Sequence, residues 1–283
     1  MTAAKQKRAP SGEGAQEMEE TMPAVDANLL HRIAPKFSGS RADRQAEIID
    51  GIGPVIQAVL ADCEITTPLR IAHFLAQICH ESAGLRTTEE FADGSAYEER
   101  ADLGNVEPGD GQRFKGRGLL QLTGRSNYKI YGDALGIDLI QKPEQASDPV
   151  TSLKIACLYW KRHDINPLCD GDNLQAVTRK VNGGLNGLDS RADFLAKAKV
   201  ALSQQQAAAI DAATDDPRPV LHRGEDGDAV VGLQSRLRAH GFDISVDGNF
   251  GAATELAVKQ FQLQQGLVSD GIVGPKTWDR LSA

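Results

Sequence analysis

Ile71-Ala72-His73-Phe74-Leu75-Ala76-Gln77-Ile78-Cys79-His80-Glu81-Ser82 places Ile71, Phe74, Leu75 and Ile78 at helical spacing, so the segment reads as an amphipathic helix with one face turned inward. Glu81 falls where that face ends. A carboxylate placed there is half out of water, which disfavours its charged form and lets it hold a proton as a general acid. From position alone, a surface ion pair at the helix end explains Glu81 equally well. Downstream lies a polar segment holding Glu89, Glu90, Glu98 and Glu99, closed by Phe114-Lys115-Gly116-Arg117-Gly118-Leu119-Leu120-Gln121-Leu122-Thr123.

This order suits one kind of chemistry. Hydrolysis of a glycosidic bond with inversion needs a protonated carboxyl on the leaving oxygen and an ionised one holding water on the opposite face, about 6.5–9.5 Å away. A helix end followed by a loop can provide that gap, whereas carboxylates one helical turn apart lie closer. On the residues alone, Glu89, Glu98 and Glu99 compete with Glu90 for the second role, and a solvated acidic loop accounts for those three without any chemistry.

Three words carry a resemblance: Ala72 through His80-Glu81-Ser82, then Gly116-Arg117-Gly118-Leu119-Leu120-Gln121-Leu122-Thr123-Gly124-Arg125-Ser126-Asn127-Tyr128, then Val181-Asn182-Gly183-Gly184. Together, and in this order, they resemble glycoside hydrolase family 19, which contains chitinases and many phage endolysins. The likeness covers Leu29 to Ala201, and within the family the chain looks like the endolysin branch. The resemblance implies a mainly α, lysozyme-like catalytic domain. It implies that Glu81 is the general acid and Glu90 the base that activates water. It also implies that His80, Gln121, Thr123 and Asn127 line the sugar cleft, with Asn182 near the attacking water. Leu119 stands where plant chitinases carry proline, and Leu158-Tyr159-Trp160 stands where they carry a triplet beginning with tryptophan. Both departures weigh against chitin as substrate.

Composition bounds the partners. The 283 residues allow one large or two modest domains. A net charge of −8 argues against nucleic acid and anionic surfaces as electrostatic partners. Cys63, Cys79, Cys157 and Cys169 fall at no metal-ligand spacing, and Cys79 and Cys157, in apolar runs, read as buried thiols. Gly84 stands four residues after His80, so the His-Glu-x-x-His zinc pattern fails; neither metal nor cofactor is expected. His73 reads as a core or supporting residue. No apolar run reaches membrane-spanning length, and the first residues lack a signal-peptide core. The expectation is a monomer made in the cytoplasm and acting on the cell wall after release, for which the resemblance implies a holin in a phage.

In chain order, residues 1–24 have almost no large apolar side chains and read as a disordered leader. The catalytic domain spans 25–203. Asp26 can cap a helix through Ile33, Ser40 and Asp43 have capping-box spacing, and a further helix is expected to begin at Pro54. Helices are also expected over Asn127–Leu135, Ser152–Arg162, Asp170–Val181 and Arg191–Leu202. Trp160 is either a sugar platform or a core residue, with composition favouring the core. Residues 204–219, rich in Ala, Gln and Asp, read as a linker with some helical character. In 220–283, Asp247-Gly248-Asn249-Phe250-Gly251-Ala252-Ala253-Thr254 returns as Asp270-Gly271-Ile272-Val273-Gly274-Pro275-Lys276-Thr277, each a tight turn opening a helix. With Leu233-Gln234 and Phe261-Gln262, this part resembles the peptidoglycan-binding domain 1 family, a three-helix wall-binding module, which implies peptidoglycan as partner. A purely structural helical cap is the alternative.

The leading expectation is an endolysin that hydrolyses β-1,4 bonds of peptidoglycan. Its rivals are a chitinase, a lytic transglycosylase that needs one acid and no base, and a non-catalytic wall-binding protein.

Overall fold

The computed structural model describes residues 22–212, 216 and 218–282. The expected leader lies outside the described residues as far as Thr21. At its end Met22 already packs on the core and Val25 is buried.

The fold is built around the helix Pro68–Glu81. It starts on Thr67, whose hydroxyl accepts from the Arg70 N–H at 3.3 Å, with Pro68 in the first turn where its missing N–H leaves nothing unpaired. The one-sided helix expected from its spacing is instead buried on every side, since Ile71 through Cys79 are all inside. The reason is the number of neighbours: helices Asn166–Asp170, Leu174–Asn182 and Leu188–Ala212 pack against it. Trp160, from the helix Pro149–Arg162, sets its ring edge-on to Phe74 at 5.2 Å. Trp160 is therefore core and not a sugar platform. The polar residues that broke the apolar pattern, His73 and Gln77, are enclosed because each has a partner. His73 Nε2 meets Asp172 Oδ1 at 2.9 Å, and Gln77 faces Arg191. Burial acts to raise Asp172, but His73 and Lys199 outweigh it and hold that carboxyl at about 2.

In chain order we label the helices α1 Ala27–Ile33, α2 Ser40–Ile52, α3 Ile56–Asp62, α4 Pro68–Glu81, α5 Asp110–Arg113, α6 Arg125–Leu135, α7 Pro149–Arg162, α8 Asn166–Asp170, α9 Leu174–Asn182 and α10 Leu188–Ala212. Asp26 caps α1 as its position suggests, accepting from Leu29 N–H at 2.9 Å. The expected capping box at Ser40 does not form, because Ser40 is already inside α2 behind Gly39, which makes no side-chain cap. Pro54 lies in the turn before α3 rather than in it. The expected helix Asp170–Val181 is divided by Gly171-Asp172-Asn173, and Asn173 caps the second part by accepting from Ala176 N–H at 3.0 Å. α10 continues through residues 204–212, so the stretch expected as a linker begins inside a helix. All four cysteines are buried and unbridged. No helix among the described residues is long and apolar enough to cross a membrane.

A second cluster, Phe114, Leu122, Tyr128, Tyr131, Leu139, Ala146 and Ile155, sits under the glycine-containing run. That run is a tight hairpin in which Arg117 and Leu122 exchange backbone bonds of 3.0 and 2.6 Å, with Gly118 and Gln121 both at positive φ. Buried Tyr128 fastens it to α6 by donating to Lys115 O at 2.7 Å and receiving Arg117 Nη1 at 3.0 Å.

Residues 218–282 have their own core of Leu221, Val230, Leu233, Leu237, Phe250, Val258, Phe261, Val273, Trp278 and others, packed between α11 Asp228–Ala239, α12 Ala252–Gln264 and α13 Pro275–Leu281. The internal echo has a shared cause. Gln234, buried on α11, donates to Asp247 Oδ1 at 2.8 Å and Asn249 O at 3.0 Å, and accepts from Gly248 N–H at 2.9 Å. Gln262, buried on α12, repeats this on the second turn, donating to Asp270 Oδ1 at 2.7 Å and Ile272 O at 2.9 Å and accepting from Gly271 N–H at 2.9 Å. Each turn is thus held by an amide from the preceding helix.

Gln262→Leu strands those buried partners and is expected to destabilise this module by at least about 2 kcal/mol in denaturant titration. Asp270 tests the same lock through pH. Burial pushes its carboxyl up, so the folded module holds the proton more tightly than the unfolded chain does and loses stability as pH rises above the ordinary carboxylate value of about 4. Gln262 Nε2 and the Ile272 N–H both donate to its Oδ1, which an asparagine also has. Asp270→Asn is therefore expected to flatten the dependence of melting temperature on pH and to raise it near neutrality.

Candidate active site

Glu81 is the last residue of α4, and the chain then turns sharply through Ala83, Gly84 and Leu85, all at positive φ. Ser82 makes that turn affordable by bonding Ile78 O at 2.6 Å and accepting from Leu85 N–H at 2.9 Å. The Glu81 carboxylate, 17% exposed, takes the Arg191 guanidinium on Oε1 at 2.5 Å. Arg191 is fully buried. It spreads its donors over Glu81, Gln77 Oε1 and Asn186 O, the last at 3.2 Å. Burial alone, the influence read from the sequence, is therefore not what surrounds Glu81; a buried cation on α10 is its direct partner.

His80 lies beside it, with Nδ1 3.0 Å from Ser190 Oγ and its ring packed on Gly187. A methyl on Gly187 would fall 2.2 Å from the ring, and its φ of +72° also favours glycine. Burial, and then the Arg191 charge, push His80 below the ordinary imidazole value, so it is neutral at pH 7. Tyr159 completes this side. Its hydroxyl donates to Lys180 O at 2.8 Å, and burial together with the nearby Glu81 raises it, so the phenol keeps its proton.

Glu90 is held by the other half of the site. Its backbone N–H bonds Gly116 O at 3.0 Å, its Oε1 accepts from Gly116 N–H at 2.6 Å and its Oε2 from Tyr97 OH at 3.0 Å. Gln121 comes to the same glycine, since a Cβ on Gly116 would sit 3.0 Å from Gln121 Oε1 and 3.2 Å from Glu90 Cδ. From there a chain of bonds runs outward: Thr123 Oγ1 to Gln121 O at 2.9 Å, and Asn127 Nδ2 to Thr123 O at 2.8 Å. The structure therefore joins Glu90, Gln121, Thr123 and Asn127 in one frame and Glu81 with His80 in another. Asn182 ends α9 exposed, and no side-chain hydrogen bond joins it to either frame.

Two of the three rival acids are occupied. Glu89 Oε1 pairs with Lys115 at 2.9 Å and Arg117 at 3.5 Å, and Glu98 accepts from Gly109 N–H at 2.6 Å and Gly111 N–H at 2.8 Å, which shapes the loop. Glu99 is exposed, at φ 57°. Sequence reasoning did not reach Arg191, Tyr97 or the Gly116 amide. Arg191 lies 110 positions from Glu81 and carries no local signal, whereas Tyr97 could have been noted as the aromatic inside the acidic loop.

Residues 57–172 match the family model for class I chitinases, a span that holds Glu81, Glu90, Gln121, Thr123 and Asn127 but not Asn182. A glycosyl hydrolase family 19 domain-containing protein of Haemophilus influenzae is 31% identical over 174 residues, which cover 50% of this chain and 85% of that protein. The chain belongs to glycoside hydrolase family 19. This family 19 chain is also 37% identical to chitinase 8 of Oryza sativa subsp. japonica over 93 residues, 32% of the chain and 34% of the rice protein. The fold agrees: chitinase C from Streptomyces griseus HUT6037 superposes with a TM-score of 0.52 at 22% identity, covering 65% of this chain and 95% of that one. Residues 226–281 match the model for a peptidoglycan binding domain. The family 19 chain is thus a mainly helical glycoside hydrolase with a C-terminal peptidoglycan-binding domain.

Arg191→Met is expected to leave the Glu81 side of the family 19 unit uncompensated and to destabilise it by about 3 kcal/mol. Calorimetry should show a fall in its melting temperature of about 6 °C or more.

Proposed function

We propose that this protein cleaves the β-1,4 glycan strands of bacterial peptidoglycan with inversion, Glu81 acting as general acid and Glu90 as general base. The observation that carries the reading is the union, in one chain, of a family 19 catalytic unit with a peptidoglycan-binding domain, since murein is the glycan both halves can share. In the reaction Glu81, protonated on Oε2 while Oε1 stays on Arg191, gives that proton to the glycosidic oxygen as the C1–O bond breaks. Water adds to C1 from the opposite face and passes a proton to Glu90. Support for the division of labour lies in the two frames, one carried by α4 and α10 and the other by the Gly116 hairpin and Tyr97. His80, neutral and fixed on Ser190, and the Gln121–Thr123–Asn127 chain suit contacts to sugar hydroxyls and N-acetyl groups, with Asn182 at the margin. The protein is made in the cytoplasm, works as a monomer, and reaches the wall through a separate release activity, as an endolysin does. A chitinase is the second reading, favoured by the class I chitinase match.

Glu81→Gln and Glu90→Gln are each expected to fold and to lose about 10²-fold or more in turnover. Glu89→Gln and Glu99→Gln should lose much less; an inactive Glu89→Gln beside an active Glu90→Gln would move the base. Anhydro-sugar products with indifference to Glu90→Gln would mean a transglycosylase.

Turnover on purified peptidoglycan should exceed that on colloidal chitin by at least about tenfold, equivalent to about 1.4 kcal/mol of transition-state preference. New reducing ends should carry N-acetylmuramic acid, first formed as the α-anomer. Equal or faster turnover on chitin would establish the chitinase instead. Residues 216–283 alone should co-sediment with sacculi without degrading them.

A further inference from the structure

Between Glu81 and Glu90 the chain carries one group that neither frame uses. The Arg86 guanidinium lies over two aromatic rings, 5.5 Å from the centroid of Phe37 and 5.6 Å from that of Phe91. Its Nε is buried with no hydrogen-bond partner, and no carboxylate pairs with it among the described residues. This contrasts with Arg44, Arg70, Arg100, Arg125, Arg218 and Arg223, each of which closes on an Asp or Glu. A stranded N–H on a cation costs free energy, and in a chain of net charge −8 an acidic neighbour would have been easy to supply. Phe91 is as unusual. It directly follows Glu90, yet 80% of its surface faces water. Phe37 packs over the turn after Glu81, since a Cβ on Gly84 would lie 3.4 Å from its ring. This cluster therefore spans from the turn behind one candidate catalytic glutamate to the residue beside the other.

A guanidinium stacked on aromatic rings keeps its edge, where its N–H groups point, for a ligand. That edge matches a planar carboxylate. The outer ring, mostly in water, can yield to a ligand without disturbing the core. We infer that Arg86, gripped by Phe37 and Phe91, binds a carboxylate of the peptide stems of peptidoglycan and so selects stem-bearing strands over bare glycan. The inference rests on the murein reading above and goes further by naming the part of the substrate recognised. Chitin offers no carboxylate to this group; murein stems carry several, on branches that leave the strand beside the scissile bonds.

The test compares kcat/KM on intact peptidoglycan with kcat/KM on the same murein stripped of its stems by an amidase, for wild type and for Arg86→Met, Arg86→Lys and Phe91→Ala, with circular dichroism to confirm folding. Loss of a charge-assisted pair should lower the intact-to-stripped ratio by at least about tenfold in Arg86→Met. Arg86→Lys should recover part of the ratio, since the charge returns without the fork. Phe91→Ala, which removes an exposed ring and no core packing, should lower the ratio as well and stands in if Arg86→Met does not fold. A wild-type enzyme that cuts both substrates, with the ratio unchanged in Arg86→Met or, failing that, in Phe91→Ala, would overturn the inference and leave the murein reading intact. A wild-type enzyme that cuts neither would overturn both.

Discussion

Arg191 is fully buried, and a guanidinium in that place needs a partner on each of its nitrogens for the core around it to close. Glu81 and Gln77 answer from α4, and Asn186 answers from the turn before α10. The interaction therefore does two things at once. It clamps α10 to α4, and it fixes the rotamer of the carboxylate at the end of α4. Because Gln77 and Glu81 are one helical turn apart, a single rigid fork can meet both. Lysine, with a compact point charge, would meet one.

The opposite carboxylate is held by backbone instead. Glu90 depends on the Gly116 amide and on Tyr97, so its position is only as good as the loop between them. That loop is stiffened from within. Asn105 bridges Tyr97 O at 2.8 Å and Arg125 N–H at 2.8 Å, and buried Asp110 gathers Arg125 with the Val106 and Glu107 amides. Arg125 in turn holds Asp110 below the ordinary carboxylate range. A stretch that reads as acidic and solvated is thus an ordered scaffold, with Glu90, Glu98 and Asp110 turned toward backbone amides.

That difference marks what can be read from a sequence and what cannot. Apolar spacing locates α4, α6 and α7, and the echo of Asp-Gly turns locates the second unit, because both signals are local. The same spacing misjudged α4 as one-sided, since His73 and Gln77 are polar and only their distant partners, Asp172 and Arg191, explain their burial. Ser40 offered a capping pattern that Gly39 displaced, and Gly171-Asp172-Asn173 split a helix whose apolar rhythm ran on. The resemblance to family 19 named Glu90, Gln121, Thr123 and Asn127; in the fold Glu90 and Gln121 meet at Gly116, and Thr123 and Asn127 follow through hydrogen bonds. Arg191 and the Arg86 cluster stayed out of sight because each is defined by residues brought together only in three dimensions.

The two glutamine locks of the C-terminal module give its chain a direction. Gln234 on α11 fixes the turn that opens α12, and Gln262 on α12 fixes the turn that opens α13, while α13 carries no glutamine to pass the pattern on. Each lock reaches forward by 8 to 20 residues and never back. Contacts of such short range carry a small loop-closure penalty and favour fast folding. During synthesis the amide always emerges before the turn it will seize. The module can therefore assemble helix by helix from its N-terminal side, each finished helix serving as the template on which the next begins.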